Sequence, residues 1–234
     1  MKNKIILITG SRKGIGKFLT NYYLSNNNIV IGCSRSEDIL KHKNYKFFQL
    51  NIKNELSVKK MFRFIRNEYG KLDVLINNAG TASMNHILTT PVESIDKLLE
   101  TNFKGSFLML REAGKLMMKK KYGKIVNMST VATPLNLMGE AIYSSTKAAV
   151  EQLTKVSSKE LSDFGITVNC LGPTPIETDL IKTVPKNKID ELLELQSIKR
   201  FGKFEDVLNV LNFFIDEKSD FITGQIIYLG GITR

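Results

Sequence analysis

Apolar residues in this 234-residue chain come in short blocks separated by longer periodic segments. Residues 5–9, 29–33, 46–50, 74–76, 125–126 and 166–170 are strand-like runs bounded by polar or glycine-containing turns, which predict short buried strands. Between them the period becomes helical. Val58, Met61, Phe62 and Ile65 fall at i, i+3, i+4 and i+7. Leu108, Leu110, Leu116 and Met117 dominate the next long segment, and Ala149, Leu153, Val156 and Leu161 the one after. These stripes face a core. Strands alternating with helices imply parallel pairing through right-handed crossovers, and so an α/β fold with a doubly wound, mostly parallel sheet flanked by helices on both faces. No repeat, low-complexity stretch or linker interrupts the pattern, so residues 1–234 read as a single domain. The stretch 173–199, punctuated by Pro173, Pro175 and Pro185, reads as an excursion carrying short helices and as a candidate substrate lid.

The first run breaks into a glycine turn, Ile5-Ile-Leu-Ile-Thr-Gly-Ser-Arg-Lys-Gly-Ile-Gly16, and continues into the helical stretch 17–24. Glycines let backbone amides approach a pyrophosphate, and the unpaired N–H groups and positive dipole of a helix N-terminus attract its charge. The spacing is G-x-x-x-G-x-G rather than G-x-G-x-x-G, and it predicts a dinucleotide. In such sheets ligands lie beyond the carboxyl ends of the strands. The glycine turn, Arg35, Asn77, Ser129 and Cys170 all stand at or just after strand ends, so one crevice can gather them. The second strand ends Cys33-Ser34-Arg35, where an acidic residue would read the ribose of NAD. Arg35 instead offers a planar fork suited to the 2′-phosphate of NADP, Lys13 a second charge and Ser34 a third hydrogen bond, while Glu37 and Asp38 lie beyond the contact. NADPH is the expected cofactor.

Composition narrows the class. Hydrophobic residues at 42% with 24% charged are ordinary for a globular protein, which excludes a disordered or fibrous chain. No apolar stretch reaches the roughly 18 residues that span a bilayer, and no small-residue cleavage site follows the first apolar run, so a cytoplasmic protein without a membrane role is expected. Cys33 and Cys170 fall in strand-like runs and read as buried free thiols. The two histidines, His42 and His86, are scattered, and no metal site is expected. The net charge of +11 raises the question of nucleic acid, but the lysines are spread along the whole chain. The densest cluster, Lys115, Lys119 to Lys121 and Lys124, surrounds a predicted helix end, where cations complement the dipole. It reads as solvated surface, with docking of an anionic carrier or substrate as the alternative.

Tyr143-Ser-Ser-Thr-Lys147 opens a long amphipathic segment, and Ser129 ends the run Ile125-Val-Asn-Met-Ser129. With seven tyrosines and 34 basic residues, one tyrosine with a basic residue at +4 is expected by chance, so the pair alone carries little. Its company carries more: the glycine turn, Asn77-Asn-Ala-Gly80, Thr101-Asn102 heading a helix, then Ser129 and Tyr143. This ordered set resembles the short-chain dehydrogenase/reductase family from Ile5 to the terminal Ile222-Thr-Gly-Gln-Ile-Ile-Tyr-Leu-Gly-Gly231, and implies a Rossmann-like domain. The stretch Val168-Asn-Cys-Leu-Gly-Pro-Thr-Pro-Ile-Glu-Thr-Asp-Leu180 with Lys199-Arg-Phe-Gly202 looks most like the 3-oxoacyl-carrier-protein reductase branch.

The resemblance implies an oxidoreductase that reduces a carbonyl, either a 3-oxoacyl thioester or a similar ketone, to a secondary alcohol. A sugar-nucleotide or small-ketone substrate is the alternative, and a non-catalytic cofactor-binding regulator a more distant one. Tyr143 is the proton donor, Lys147 the cation that stabilises its phenolate, Ser129 the hydroxyl that holds the carbonyl oxygen, and Asn102 the holder of a water linking Lys147 to solvent. Cofactor contacts are implied at Gly10, Ser11, Lys13, Gly14, Ile15, Gly16, Ser34, Arg35, Asn51, Ile52, Asn78, Ala79, Gly80, Tyr143, Lys147, Pro173, Ile176 and Thr178. Pairing through two long helices beginning near Asn102 and Tyr143 implies a homodimer or homotetramer. Leu135, Leu137, Met138, Leu180 and Ile181 suit an acyl chain or simply pack helices.

Three positions depart from the pattern. Asn51 replaces an aspartate beside adenine. Phe164 stands where carrier-protein reductases often place a basic residue before Gly165, which counts against a carrier partner. Thr174 replaces the glycine after Pro173, and because threonine avoids positive φ, an altered entry to the lid is expected.

Overall fold

In the computed structural model, which describes residues 3–178, 181 and 184–233, seven strands form one all-parallel sheet. They are β1 (Ile5–Thr9), β2 (Ile29–Ser34), β3 (Tyr45–Gln49), β4 (Val74–Asn77), β5 (Gly123–Met128), β6 (Ile166–Gly172) and β7 (Ile226–Tyr228), in the order β3-β2-β1-β4-β5-β6-β7. Winding runs outward from β1 through β2 to β3, then returns to place β4 on the other side of β1. The order therefore reverses between β1 and β4, where a doubly wound sheet opens its crevice. The register aligns the strand ends: Asn77 pairs with Asn127 and Asn127 with Cys170.

Helices α1 (Gly14–Ser25), α2 (Glu55–Tyr69), α3 (Val92–Leu98), α4 (Gly105–Met117), α5 (Ala132–Leu135), α6 (Ala141–Glu160), α7 (Lys186–Glu194) and α8 (Phe204–Ile215) are the described α-helices. Every residue of β1 is buried because both faces are covered, which is why the parallel strands read as continuous apolar runs. Leu7, Ile31, Leu75, Ile125 and Val168 pack with Met61 and Phe62 of α2 and with Leu108, Met109 and Leu116 of α4. The alternate residues Ile6, Ile8, Val30, Ile76 and Val126 pack with Leu19 and Tyr23 of α1 and with Leu211 and Phe214 of α8. Local signals agree where they are strong: the Asn54 side chain caps α2 by accepting from the Ser57 N–H at 2.9 Å, and Gly70 closes the helix in the left-handed region.

Three expectations are corrected. Thr101 and Asn102 do not head a helix; they lie in a π-helical stretch, Leu99–Lys104, that joins α3 to α4. Lys124 is not solvated surface: it sits in β5, buried, and donates to the Asp220 carboxylate. Thr174 adopts no positive φ, so the chain enters the lid through ordinary backbone. Cys33 and Cys170 are buried free thiols, and among the described residues no helix is long and apolar enough to cross a membrane.

Phe62 fills the space between α2 and the sheet at 2% exposure. Phe62→Ala is expected to destabilise the chain by about 3–5 kcal/mol, against less than about 0.5 kcal/mol for the exposed Lys60→Ala on the same helix, as read by urea unfolding.

Candidate active site

The glycine turn is built by steric necessity. Gly10 takes φ +67°, and a Cβ on Gly16 would stand 2.2 Å from the Gly10 carbonyl oxygen, so no larger residue lets α1 start this close to β1. The turn is tied to the end of β4: the Asn78 side-chain amide donates to the carbonyls of Thr9 at 2.9 Å and Gly10 at 3.3 Å, and the Ala79 N–H donates to the Thr9 hydroxyl at 2.8 Å. Asn77 joins neighbouring strands instead, its amide donating to Asn127 Oδ1 at 2.8 Å.

Beyond the strand ends lies one cleft of about 440 Å³. At the ends of β1, β2 and β3 it is lined by Gly10, Lys13, Gly14, Ile15, Ser34, Arg35, Asn51 and Ile52. After β4 come Asn78, Ala79 and Gly80, and after β5 and β6 come Ser129, Pro173, Ile176 and Thr178. Tyr143 and Lys147 enter from α6. Ser11, Gly16 and Asn102, three of the expected site residues, do not line it. Ser11 is buried with its hydroxyl 3.1 Å from that of Tyr45, and Gly16 is closed off inside the turn. Asn102 is a staple: its side-chain oxygen accepts from the Thr81 N–H at 2.9 Å, and its amide donates to the Thr81 carbonyl at 2.9 Å and the Thr146 hydroxyl at 3.1 Å. Ser34 faces the cleft with its hydroxyl already donating to the Ser36 carbonyl at 2.6 Å. Glu37 and Asp38 do not line the cleft, and Asp38 accepts from the Tyr45 hydroxyl at 2.8 Å.

Sequence reasoning missed several lining residues: Arg12, which its place inside the glycine turn could have flagged, and Thr130 and Glu140, which flank Ser129 and Tyr143. From the lid, Ile181, Val184 and Leu192 reach the cleft, as does Leu137 before α6. Leu135 does not line it, Met138 is largely exposed, and Leu180 lies outside the described residues. The Thr174 hydroxyl is buried on the cleft wall without a hydrogen-bond partner.

Tyr143 and Lys147 are one helical turn apart and both buried, with the ammonium 6.0 Å from the centre of the phenol ring. Burial raises the phenol above its ordinary pKa and the carboxylate of Glu140 raises it further, opposed by the Thr130 hydroxyl, so Tyr143 carries its proton throughout the neutral range. Burial lowers Lys147 to about 8, opposed by its neighbours Cys170 and Glu151. Its Nζ donates to the Met128 carbonyl at 2.8 Å, at the end of β5 and one residue before Ser129. A protonated phenol, a titratable ammonium and a strand-end hydroxyl on one wall can deliver a proton to a bound oxygen.

The family model described as short chain dehydrogenase matches residues 4–189. The chain belongs to the short-chain dehydrogenase/reductase family. Its relatives include the 3-oxoacyl-[acyl-carrier-protein] reductase FabG of Staphylococcus epidermidis, 31% identical over 98% of both chains, and that of Salmonella typhimurium, 28% identical over 98% of this chain and 97% of the other. Among solved structures it resembles ElxO with NADP bound, at 33% identity and a TM-score of 0.89 over 99% of this chain and 98% of that one. Levodione reductase, at 20% identity and a TM-score of 0.90, shares the fold. As a short-chain dehydrogenase/reductase the protein is an NAD(P)-dependent oxidoreductase.

Glu140 shares the cleft wall of this short-chain dehydrogenase/reductase with Tyr143, and burial raises its carboxyl pKa above the ordinary value. The folded protein therefore holds this proton to higher pH than the unfolded chain, and the site costs stability once pH rises through that window. Glu140→Gln is expected to be more stable than the parent at pH ~7, with the difference vanishing below pH ~4, the ordinary range for Glu; urea unfolding at the two pH values checks the sign.

Proposed function

We propose that this short-chain dehydrogenase/reductase reduces a carbonyl, with 3-oxoacyl thioesters the leading substrate class, to a secondary alcohol using NADPH. The observation that carries the reading is that Tyr143, Lys147 and Ser129 share one cleft with the glycine turn and Arg35. The residues present fit a phosphorylated dinucleotide: a cradle too tight for a Cβ at Gly16 lies beside α1, and Arg12, Lys13 and Arg35 line the region beyond β1 and β2. The cofactor is NADP(H), in keeping with the relatives captured with NADP and NADPH. Arg35 and Lys13 hold its 2′-phosphate, and Asn51 and Ile52 border the base.

Bound there, the reduced nicotinamide supplies a hydride. The protein's part is to hold the carbonyl and deliver a proton. Ser129 orients the carbonyl oxygen and Tyr143 gives it the phenolic proton. The phenolate left behind is stabilised by the Lys147 ammonium beside it, which offsets the raised pKa that burial imposes. Asn102 contributes through its staple to Thr81 and Thr146, and the water expected at Asn102 would complete a path for returning the proton. The lid, with Ile181, Val184 and Leu192 turned to the cleft, covers an apolar part of the substrate.

Exposed Phe107 on α4 and Val156 on α6 support pairing of copies through these two helices. A carrier-bound substrate accords with the net charge of +11, whereas Phe164 before Gly165 removes one expected basic contact. A retained tyrosine, lysine and serine set weighs against a non-catalytic regulator, which has no chemical use for it.

Three measurements test the reading. NADPH oxidation against 3-oxoacyl thioesters, free ketones and keto-sugars, with NADH as control, is expected to show turnover with the thioesters; turnover confined to keto-sugars would replace the substrate class. Tyr143→Phe is expected to lower kcat by a factor of about 1,000 or more with NADPH binding retained, and residual turnover within about tenfold of the parent contradicts the proton-donor role. Arg35→Asp is expected to lower the preference for NADPH over NADH at least tenfold, or about 1.4 kcal/mol.

A further inference from the structure

Ser129 is held from behind. Its hydroxyl donates to a carboxylate oxygen of Glu151 at 2.5 Å, and the Thr133 hydroxyl lies farther off, at 3.5 Å. Glu151 does not line the cleft. It is 1% exposed and lies on α6 one turn beyond Lys147, which is itself one turn beyond Tyr143, so the three form one stripe. Taking a carboxylate out of water to that depth is costly, and a leucine of similar volume would fill the space without the penalty. A group retained against that cost at hydrogen-bond distance from Ser129 has work at the site.

We propose that Glu151 is a positioning residue for carbonyl reduction: it holds the Ser129 hydroxyl in place until a carbonyl arrives and supplies the negative charge that keeps Lys147 an ammonium. The proposal rests on the reductase reading above. A serine hydroxyl has one proton to give. While that proton faces Glu151, the lone pairs of Oγ face away from the carboxylate; when a carbonyl oxygen arrives the hydroxyl turns to it, and the proton never leaves Oγ. The groups around Lys147 leave Glu151 as its counter-charge. Tyr143 of α6 keeps its proton, Cys170 of β6 is pushed up to about 12 by burial and stays a neutral thiol, and the Met128 carbonyl of β5 and Asn102 carry no charge. Glu140, on the far side of Tyr143, acts on the phenol.

The test follows NADPH oxidation by the full chain with acetoacetyl-coenzyme A and a panel of free ketones from about pH 6 to about pH 10, in the parent and in Glu151→Gln, Glu151→Asp and Glu151→Leu. Reduction draws on the protonated pair, so kcat falls as pH rises through the Lys147 titration. Glu151→Gln keeps a hydrogen bond to Ser129 and loses the charge. Its kcat at the low-pH plateau is expected within about threefold of the parent, and its alkaline limb about one pH unit lower. Glu151→Asp is expected to return the limb toward the parent. Glu151→Leu is expected to lose roughly ten- to a hundredfold in kcat with the KM for NADPH little changed.

If the leucine variant does not fold, the glutamine and aspartate pair decides alone. A Glu151→Gln enzyme with parental kcat and an unmoved limb overturns the proposal, and so does an equal loss in all three variants without a pH shift, which is what a packing defect produces. Should the parent reduce none of the carbonyls, the functional reading fails by itself. Glu151 is then judged on NADPH binding followed by nicotinamide fluorescence: a pH midpoint lower in Glu151→Gln than in the parent supports the proposal, and coincident midpoints overturn it.

Discussion

A lysine ammonium buried at the end of a parallel sheet is the constraint on which this structure turns. At 5% exposure Lys147 lacks the water that ordinarily keeps it charged, and a neutral amine would do nothing for a phenolate. The fold answers with the Met128 carbonyl at the end of β5, 2.8 Å from Nζ, and a carboxylate one turn along α6. Because α6 packs along β5 and β6, one stripe of that helix brings Tyr143 and Lys147 to the same wall as Ser129, with Glu151 behind that wall.

The rest of the sheet explains why the wall faces a nucleotide. Helices cover both faces, so polar chemistry can reach solvent at the strand ends, and the reversal between β1 and β4 opens a crevice there. Gly10 and Gly16 let the turn close tightly where α1 starts, and Asn78 fastens that turn to the end of β4. The same amide chemistry continues beneath the site, where Asn77, Asn127 and Thr154 form a buried hydrogen-bonded chain from β4 through β5 to α6. Aligned strand ends and a bonded polar layer hold the cleft floor in one register.

Much of this was legible in the sequence because it rests on local rules. Short apolar runs marked six of the seven strands, the central ones buried on both faces, and the stripe at Val58, Met61, Phe62 and Ile65 marked α2. What escaped notice depends on tertiary context. β7 has three residues, half-buried at the sheet edge, and carries little pattern of its own. Asn102 lies inside a helix because a π-helical stretch, a local widening that no propensity announces, passes through it. Lys124 looked like one more surface lysine until Asp220, distant in sequence, proved to cover it. Glu151 went unremarked since a glutamate on a helix is ordinarily solvated; its spacing of four from Lys147 was the available signal, and the closure of β5 against α6 gave it meaning.

Leu137, Ile181, Val184 and Leu192 make one side of the cleft apolar, while Glu140 and the unpartnered Thr174 hydroxyl add polar points that a neutral, hydrogen-bonding acyl group could use. The central claim is narrower and is tested most directly by an NMR pH titration of lysine 15Nζ resonances, with Lys147→Arg to assign the signal. The account expects one resonance, lost in that variant, to titrate near the value of about 8 that burial imposes on Lys147. Every lysine titrating in the ordinary range near ~10.4 would contradict it.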